Sequence, residues 1–414
     1  MERNRIIAVA GAGIGGLTAA LALARAGFGV RLLERSETLS EAGAGIQISP
    51  NAGRVLALLG LDDAVARLSA EPAALEVRSG RSGRRIATLP FGPAFARRYG
   101  VPYRTIHRAD LLDVLAGAAM AEADVDLKAG HAVSEFAIHA RGLTIACETR
   151  AGMREVTAAA LVAADGAGSL VRRMMPDGAA RHPMGRTAWR AVISAEAAPP
   201  AMAHDRVGLW LGSGGHVVHY PVRGGREFNL VAVTPDPPAA AAQPAGFGDL
   251  MKRFRRWNRD VLAILAAPID WRRWPITMVD PAAPWARGPV VLLGDAAHAM
   301  APFLAQGGAM AMEDAYVLAQ KLALQPDAPA AAFAAFERDR RPRVTRVWNA
   351  AHGTADLYHM GGPPAALRNA GMRLAGGGLL LRRYRWIFGW TPPAPVMQRA
   401  PTGSGTGIAR TKRV

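Results

Sequence analysis

Apolar residues fall into short runs and helical stripes that follow one another from the first residues onward. Residues 6–10 are an uninterrupted apolar run of strand length, an Ala/Leu-rich helix follows the glycines after it, and a second apolar run ends in the acidic Glu34. Residues 39–51 (LSEAGAGIQISPN) read as a glycine-rich loop with a short extended piece, and 52–68 as one helix. A strand-like stretch at 75–89 is broken by a turn at 79–83. Residues 108–121 carry helical apolar spacing, and 143–147 and 160–164 read as strands. From 186 to about 274 strand signals dominate, with runs at 207–211, 216–221 and 228–233. A Pro/Ala-rich stretch at 235–244 interrupts them and reads as a mobile loop. A last buried strand is expected at 290–293, followed by helices over 309–324 and 329–351. The tail beyond 390, rich in Pro, Gly, Thr and basic residues, reads as disordered.

This order predicts an α/β chain with a discontinuous nucleotide domain over 1–75, 101–180 and 276–345. A β-rich domain of 76–100 and 181–275 is inserted into it. A C-terminal helical segment at 346–391 and a disordered tail at 392–414 complete the layout. A cleft between the two domains is a frequent place for a small-molecule site.

Composition narrows the class. The chain has 414 residues, enough for two or three domains, and half of them are hydrophobic. No apolar run reaches the roughly 20 residues needed to span a bilayer. The first strand starts within six residues, so no signal peptide is expected. The single cysteine, Cys147, excludes an internal disulfide and a Cys-rich metal site. A cytoplasmic location is the default. The net charge of +17 invites a nucleic-acid reading. Only four of the 50 basic residues are lysine, the arginines are scattered, and no nucleic-acid module accompanies them, so nucleic acid is not an expected partner. Residues 379–390 (LLLRRYRWIFGW) read as a docked C-terminal helix in preference to a membrane-surface segment.

The chemistry starts at the first turn. Gly11, Gly13 and Gly16 have the G-x-G-x-x-G spacing between a strand and a helix, with Glu34 at the end of the next strand. Gly11 permits the tight turn, Gly13 the approach of a pyrophosphate, and Gly16 close packing of helix on strand. The helix N-terminus offers unpaired N–H groups to the anion, and Glu34 can accept from an adenosine ribose. In LVAADGAGSLVR at 161–172, a strand delivers Asp165 and Gly166. In VVLLGDAAHAMAPFLAQGGAMAMEDA, from residue 290, a strand delivers Gly294 and Asp295, a loop carries Pro302, and Gly307-Gly308-Ala309 open a helix. Asp295 can bond a ribityl hydroxyl, and the helix N-terminus can stabilise negative charge on a flavin ring.

With these motifs in their order, the chain resembles the single-component FAD-dependent aromatic hydroxylases over nearly its whole length. GAGIQISPN at 43–51, YRTIHRADLL at 103–112, HVVHYPVRGG at 216–225 and GDAAHAMAPFLAQG at 294–307 are similar to the salicylate hydroxylase-like branch. The resemblance implies a Rossmann-type, glutathione reductase-like FAD domain with an inserted β-rich substrate domain. It implies bound FAD, transient reduction by NADH or NADPH, and hydroxylation of a small aromatic acid such as a salicylate, hydroxybenzoate or hydroxynicotinate. O₂ would react at the reduced flavin to give a C4a-hydroperoxide. The cofactor contacts it implies are Gly11, Gly13, Gly15, Gly16, Leu17, Glu34, Arg35, Gln47, Arg108, Leu112, Val133, Asp165, Asp295, Pro302, Gly307, Gly308 and Ala309. A homodimer is an open option.

Ring attack needs an electron-rich substrate, hence a base of near-neutral pKa, most often histidine. His216 is the candidate, with Tyr220 its companion. Period-2 alternation puts His216, Val218 and Tyr220 on one face and His219 on the other, with His216 and Tyr220 about 13 Å apart. A histidine and a tyrosine at this spacing serve the substrate in the hydroxynicotinate-type members. That branch carries a histidine at the position of Gln47, and the hydroxybenzoate 6-hydroxylases a glutamine at that of Pro302. His298 is expected to order its loop. Trp189-Arg190 and Arg223 are candidates for an anion or for ordinary ion pairing. Met300, Met310 and Met312 are expected in the core. The alternatives on the same fold are a halogenase, a reductase or a non-catalytic flavin sensor. The halogenase Trp-x-Trp-x-Ile-Pro signature is not matched at Trp271–Ile276.

Overall fold

The computed structural model describes residues 6–39, 44–235 and 246–395. Most of the expected loop at 235–244 and the tail from 396 lie outside the described residues. The strand Ile6–Ala10 sits inside a six-stranded sheet between Gly29–Leu33 and Ala160–Ala163, both parallel to it. Val125–Lys128 extends one edge and Val290–Leu292 the other, also in parallel, and the short Ala286–Arg287 closes that edge antiparallel. The central strands Ile6–Ala10, Ala160–Ala163 and Val290–Leu292 are apolar throughout and buried in one core. Ile14–Arg25 packs against Gly307–Leu324 and Arg108–Ala121, and all three feed one large core. An antiparallel meander of Ala132–His139, Gly142–Thr149 and Gly152–Ala158 leads into the central strands.

The second sheet has seven strands, in the order Arg272–Val279, Arg181–Ser194, Glu227–Pro235, Gly215–Val222, Arg206–Gly212, Ala74–Ser79 and Arg85–Pro90. Its alternation separates two faces. Trp189, Trp210, Val217 and Ala232 point to the back, where the helices Phe247–Phe254 and Arg259–Ala266 cover them. His216, Leu211, Val233 and Ala188 are register partners on the front face. The short ribbon of Gly45–Ile48 and Arg104–His107 joins the two halves of the molecule. The Gly45 N–H donates to Asn229 Oδ1 (2.6 Å) and the Thr105 hydroxyl to the Pro221 carbonyl (2.5 Å).

Several elements differ from the sequence expectation. Residues 52–68 are two helices, Pro50–Leu58 and Asp62–Leu68, divided where Gly60 takes a φ of +62°. The two helices behind the second sheet and most of the meander were not expected. The second long helix runs on to His359, and Gly362–Arg382 forms a further helix. The C-terminal segment is docked: Arg54 donates to the carbonyls of Phe388 and Trp390 (both 2.8 Å), and Ile387 is buried. Among the described residues no helix is long and apolar enough to cross a membrane, and no group of three His, Cys, Asp or Glu could hold a metal ion.

Candidate functional site

A cavity of ≈ 680 Å³ runs along the carboxyl ends of the first sheet. The glycine turn shapes its near end. A Cβ on Gly16 would stand 1.8 Å from the Gly11 carbonyl oxygen, so only glycine lets the helix sit this close to the turn. A Cβ on Gly13 would meet nothing within 4 Å, leaving the helix N-terminus open to a ligand. Glu34 ties this turn to the end of its strand: Oε2 accepts from the Ala12 N–H (2.7 Å) and Oε1 from the Ser36 N–H (2.9 Å).

Of the expected cofactor residues, Gly11, Gly13, Gly15, Leu17, Glu34, Arg35, Arg108, Leu112, Val133, Asp165, Asp295, Gly307 and Gly308 line this one cavity. His131 and Arg173, which sequence reasoning passed over, line it too. Asp165 Oδ2 caps a short helix by accepting from the N–H groups of Leu170 (2.8 Å) and Val171 (3.3 Å). Its Oδ1 is buried and has no hydrogen-bond partner among the described residues. A buried acceptor without a donor is costly unless a ligand supplies one. The far end is the N-terminus of Gly307–Leu324, which carries no acidic residue in its first turn. Arg35, Arg108 and Arg173 supply positive charge along the wall. A carboxylate at one end, guanidiniums and a helix N-terminus along the way, and acceptors plus a second helix N-terminus at the far end suit a dinucleotide with a flavin head.

The remaining four do not line the cavity. Gly16 packs helix on turn. Ala309 is buried inside its helix, 1% exposed. Pro302 opens the turn Pro302–Leu304, which carries Phe303 against His216. Gln47 faces two tyrosines: its Oε1 accepts from the Tyr103 hydroxyl (2.6 Å), and it also bonds Tyr220.

Beneath the cavity floor lies a buried ionic network. His298 Nε2 donates to Asp314 Oδ2 (2.5 Å), which also accepts from the Gly294 N–H (3.3 Å). Arg340 donates to Asp314 Oδ1 (2.7 Å) and meets Glu313 at 2.8 Å. Arg343 and Asn51 complete the donors to Glu313, each at 2.7 Å. His298 therefore has a structural role, holding the loop after Gly294. Burial alone would raise the Asp314 carboxyl, but His298 and Arg340 hold it below the usual aspartate range.

His216 and Tyr220 stand apart from the cavity, on the front face of the second sheet, 3% and 4% exposed. His219 lies on the back face, where its Nε2 accepts from Trp210 Nε1 (3.2 Å). The His216 ring lies against Phe303, Tyr358 and His359, with centroids 5.2, 5.4 and 5.1 Å away. Burial, and then His359 and Arg186, keep His216 neutral by driving its pKa well below the ordinary value. Burial pushes the phenols of Tyr103, Tyr220 and Tyr358 up. Leu304 and Tyr358 pack against the hydrophobic clusters on both sides of this space.

Of the other candidates, Arg223, Trp189 and the three methionines resolve as structure. Arg223 pairs with Asp110 (3.2 Å) and Glu227 (3.0 Å). Trp189 is buried on the back face and donates to Thr234 Oγ1 (3.1 Å). Met300, Met310 and Met312 are in the core. Tyr103 lies in the stretch YRTIHRADLL, where nothing local marks its contact with Gln47. Tyr358, His359 and Arg186 had no local signal, because what joins them to His216 is tertiary contact.

Residues 5–351 match the family described as FAD binding domain. The chain is 35% identical over 388 residues to 3-hydroxybenzoate 6-hydroxylase 1 of Aquipseudomonas alcaligenes, covering 92% of this chain and 96% of that one. It is 37% identical over 398 residues to 3-amino-4-hydroxybenzoate 2-monooxygenase of Streptomyces cremeus, covering 95% and 98%. Klebsiella pneumoniae HpxO, solved in complex with FAD and uric acid, aligns with a TM-score of 0.78 at 28% identity over 91% of this chain and 95% of that one.

Proposed function

This chain belongs to the FAD binding domain family, as an FAD-dependent aromatic-ring monooxygenase, and we propose from that membership that its substrate is a small phenolic acid bound between His216 and Tyr220. The observation that carries the proposal is the turn Pro302–Leu304. It follows the cavity residue Asp295 and presents Phe303 to His216, so the flavin end of the cavity and the buried aromatic space adjoin. Bound FAD, reduced by NADH or NADPH, supplies an activated oxygen derived from O₂. The chain's residues do the rest. His216, Tyr220, Tyr103 and Phe303 are all at most 6% exposed and keep water from the reacting ring. Gln47 fixes the two phenols that flank the substrate. Arg190 is near enough to Tyr220 to pull its phenol down against the effect of burial, and it is the cation assigned to the substrate carboxylate. His216 meets the ring hydroxyl. The cytoplasm is the proposed place of action.

Two measurements test this. The purified protein is expected to release FAD and not FMN on heating, because FMN has no adenosine for Glu34 to hold. Glu34→Ala is expected to weaken retention by roughly 1.5–3 kcal/mol, the contribution of a hydrogen bond to a charged group. A panel of phenolic acids, read by NAD(P)H consumption and product mass, is expected to give a product heavier by one oxygen atom. A yellow protein that oxidises NAD(P)H with none of them would favour the sensor reading.

A further inference from the structure

We propose that Arg186 and His359 fix the tautomer of His216, so that His216 meets the substrate oxygen as a hydrogen-bond donor through Nε2 and not as the base that removes its proton. A guanidinium can only donate. Arg186 Nη1 contacts His359 Nδ1, so that nitrogen is the acceptor and the neutral His359 ring carries its proton on Nε2. His359 Nε2 lies 2.8 Å from His216 Nδ1. Its N–H donates there, which makes His216 Nδ1 an acceptor and leaves the His216 proton on Nε2. The order of donation is therefore Arg186 to His359 to His216 to substrate. Arg186 is held in turn by Asp356 at 3.6 Å. Among the described residues nothing else bonds His216 Nε2.

Both rings stay neutral, as the chain of donors requires. Burial, then Arg186 and Arg368, drive His359 down to about 3. A base at His216 would need the opposite arrangement. Its Nε2 would have to carry a lone pair, and its Nδ1–H would donate to His359 Nε2. The proton of His359 would then move to Nδ1 and point at the Arg186 guanidinium, donor against donor. Within a buried site that arrangement leaves two donors facing each other with no acceptor between them.

The consequence for the reaction rests on the aromatic hydroxylase reading; the tautomer itself does not. A fixed N–H aimed at the ring oxygen stabilises the phenolate over the phenol and lowers the substrate's pKa on binding. The phenol proton leaves to bulk water as the substrate binds as its anion. His216 is then the group touching the reacting oxygen, and Arg186 and His359 are positioning residues that act through it.

The test has two arms on the FAD-loaded, full-length protein. Long-range ¹H–¹⁵N correlation spectra of histidine-labelled protein report which ring nitrogen carries the proton, with His216→Gln and His359→Gln giving the assignments. His216 and His359 are both expected with Nε2 protonated and Nδ1 bare; a proton on His216 Nδ1 overturns the proposal. In the second arm, product and H₂O₂ are measured with a phenolic acid that the wild type hydroxylates. Glutamine can donate an N–H but cannot act as a base. His216→Gln is expected to hydroxylate within roughly tenfold of wild type, a barrier change near one factor of ten, and His216→Ala far less. If His216→Gln is as inactive as His216→Ala, the donor role is wrong. His359→Gln, which can accept from Arg186 and donate to His216, is expected to keep both the tautomer and the coupling of oxygen to product. His359→Leu is expected to lose both, and unchanged coupling in it removes His359 from the mechanism. If the wild type hydroxylates no aromatic acid, the functional reading fails, while the spectra still decide the tautomer.

Discussion

Arg340→Met is expected to destabilise the folded protein by roughly 3–5 kcal/mol, the usual result of removing one partner from a buried ion pair. Arg340 is 2% exposed, and its two carboxylate partners, Glu313 and Asp314, are fully buried. Methionine fills much of the volume but leaves Asp314 with His298 and the Gly294 N–H as its remaining donors. Glu313 keeps Arg343 and Asn51, so the loss falls mainly on Asp314. Asp314 positions the loop that begins at Gly294 and carries Asp295 into the cavity, so FAD retention should fall together with stability. Urea unfolding of apoprotein and of FAD-loaded protein, with released flavin measured in parallel, reads both effects. Arg340→Met protein as stable as wild type and fully flavinated would show that His298 and the Gly294 N–H suffice for Asp314, and Arg343 and Asn51 for Glu313.

The same residue sets a pH signature. Asp314 has a folded pKa below its unfolded value, so it contributes stability that is fully present above the ordinary aspartate range. That stability is lost as pH falls through the lowered folded value. The window therefore lies in acid, below about pH 4, where an unperturbed aspartate titrates. In Arg340→Met one of the two groups holding that pKa down is gone, so acid unfolding should begin at higher pH than in wild type.

What could be read from the sequence was local, and what could not was tertiary. Residues 6–34 declare a strand, a turn, a helix and an acid because each glycine answers a backbone constraint within a few residues of itself. Arg108–Ala121 was bounded correctly because its apolar spacing begins and ends with the helix. The break at Gly60 was missed because apolar positions run through it: Leu56, Leu59, Leu61 and Val65 are all buried in one core. The helices Phe247–Phe254 and Arg259–Ala266 were lost among neighbouring strands, although Leu250, Phe254, Val261 and Ile264 keep helical spacing. The charged core has a signal in the sequence: Glu313 and Asp314 fall within the buried stretch of their helix and must find partners there. His359 had none, since 143 residues separate it from His216.

His216→Ala is expected to separate flavin reduction from ring hydroxylation. Reduction by NAD(P)H requires nothing of the substrate oxygen, so NAD(P)H oxidation stimulated by the phenolic acid should largely survive. Hydroxylation requires an electron-rich ring, and losing one preorganised donor to a developing or settled oxyanion typically lowers turnover by roughly 10²–10³. Oxygen activated without ring attack should appear as H₂O₂, so the ratio of peroxide to NAD(P)H consumed should approach one. The fold should tolerate the change less well than a surface substitution: the His216 ring is 3% exposed, and its removal leaves His359 Nε2 without its acceptor. A cost of about 1–3 kcal/mol follows from that orphaned group, too small to unfold a chain with so large a core. At high pH the phenol ionises in solution, and hydroxylation in the variant should recover in part, whereas the wild type gains little. NAD(P)H oxidised, product formed and peroxide released, measured together across pH, give each of these quantities. Product and coupling near wild-type values at neutral pH would leave His216 as a packing partner of Phe303 and Tyr358 and transfer the substrate-facing role to Tyr220.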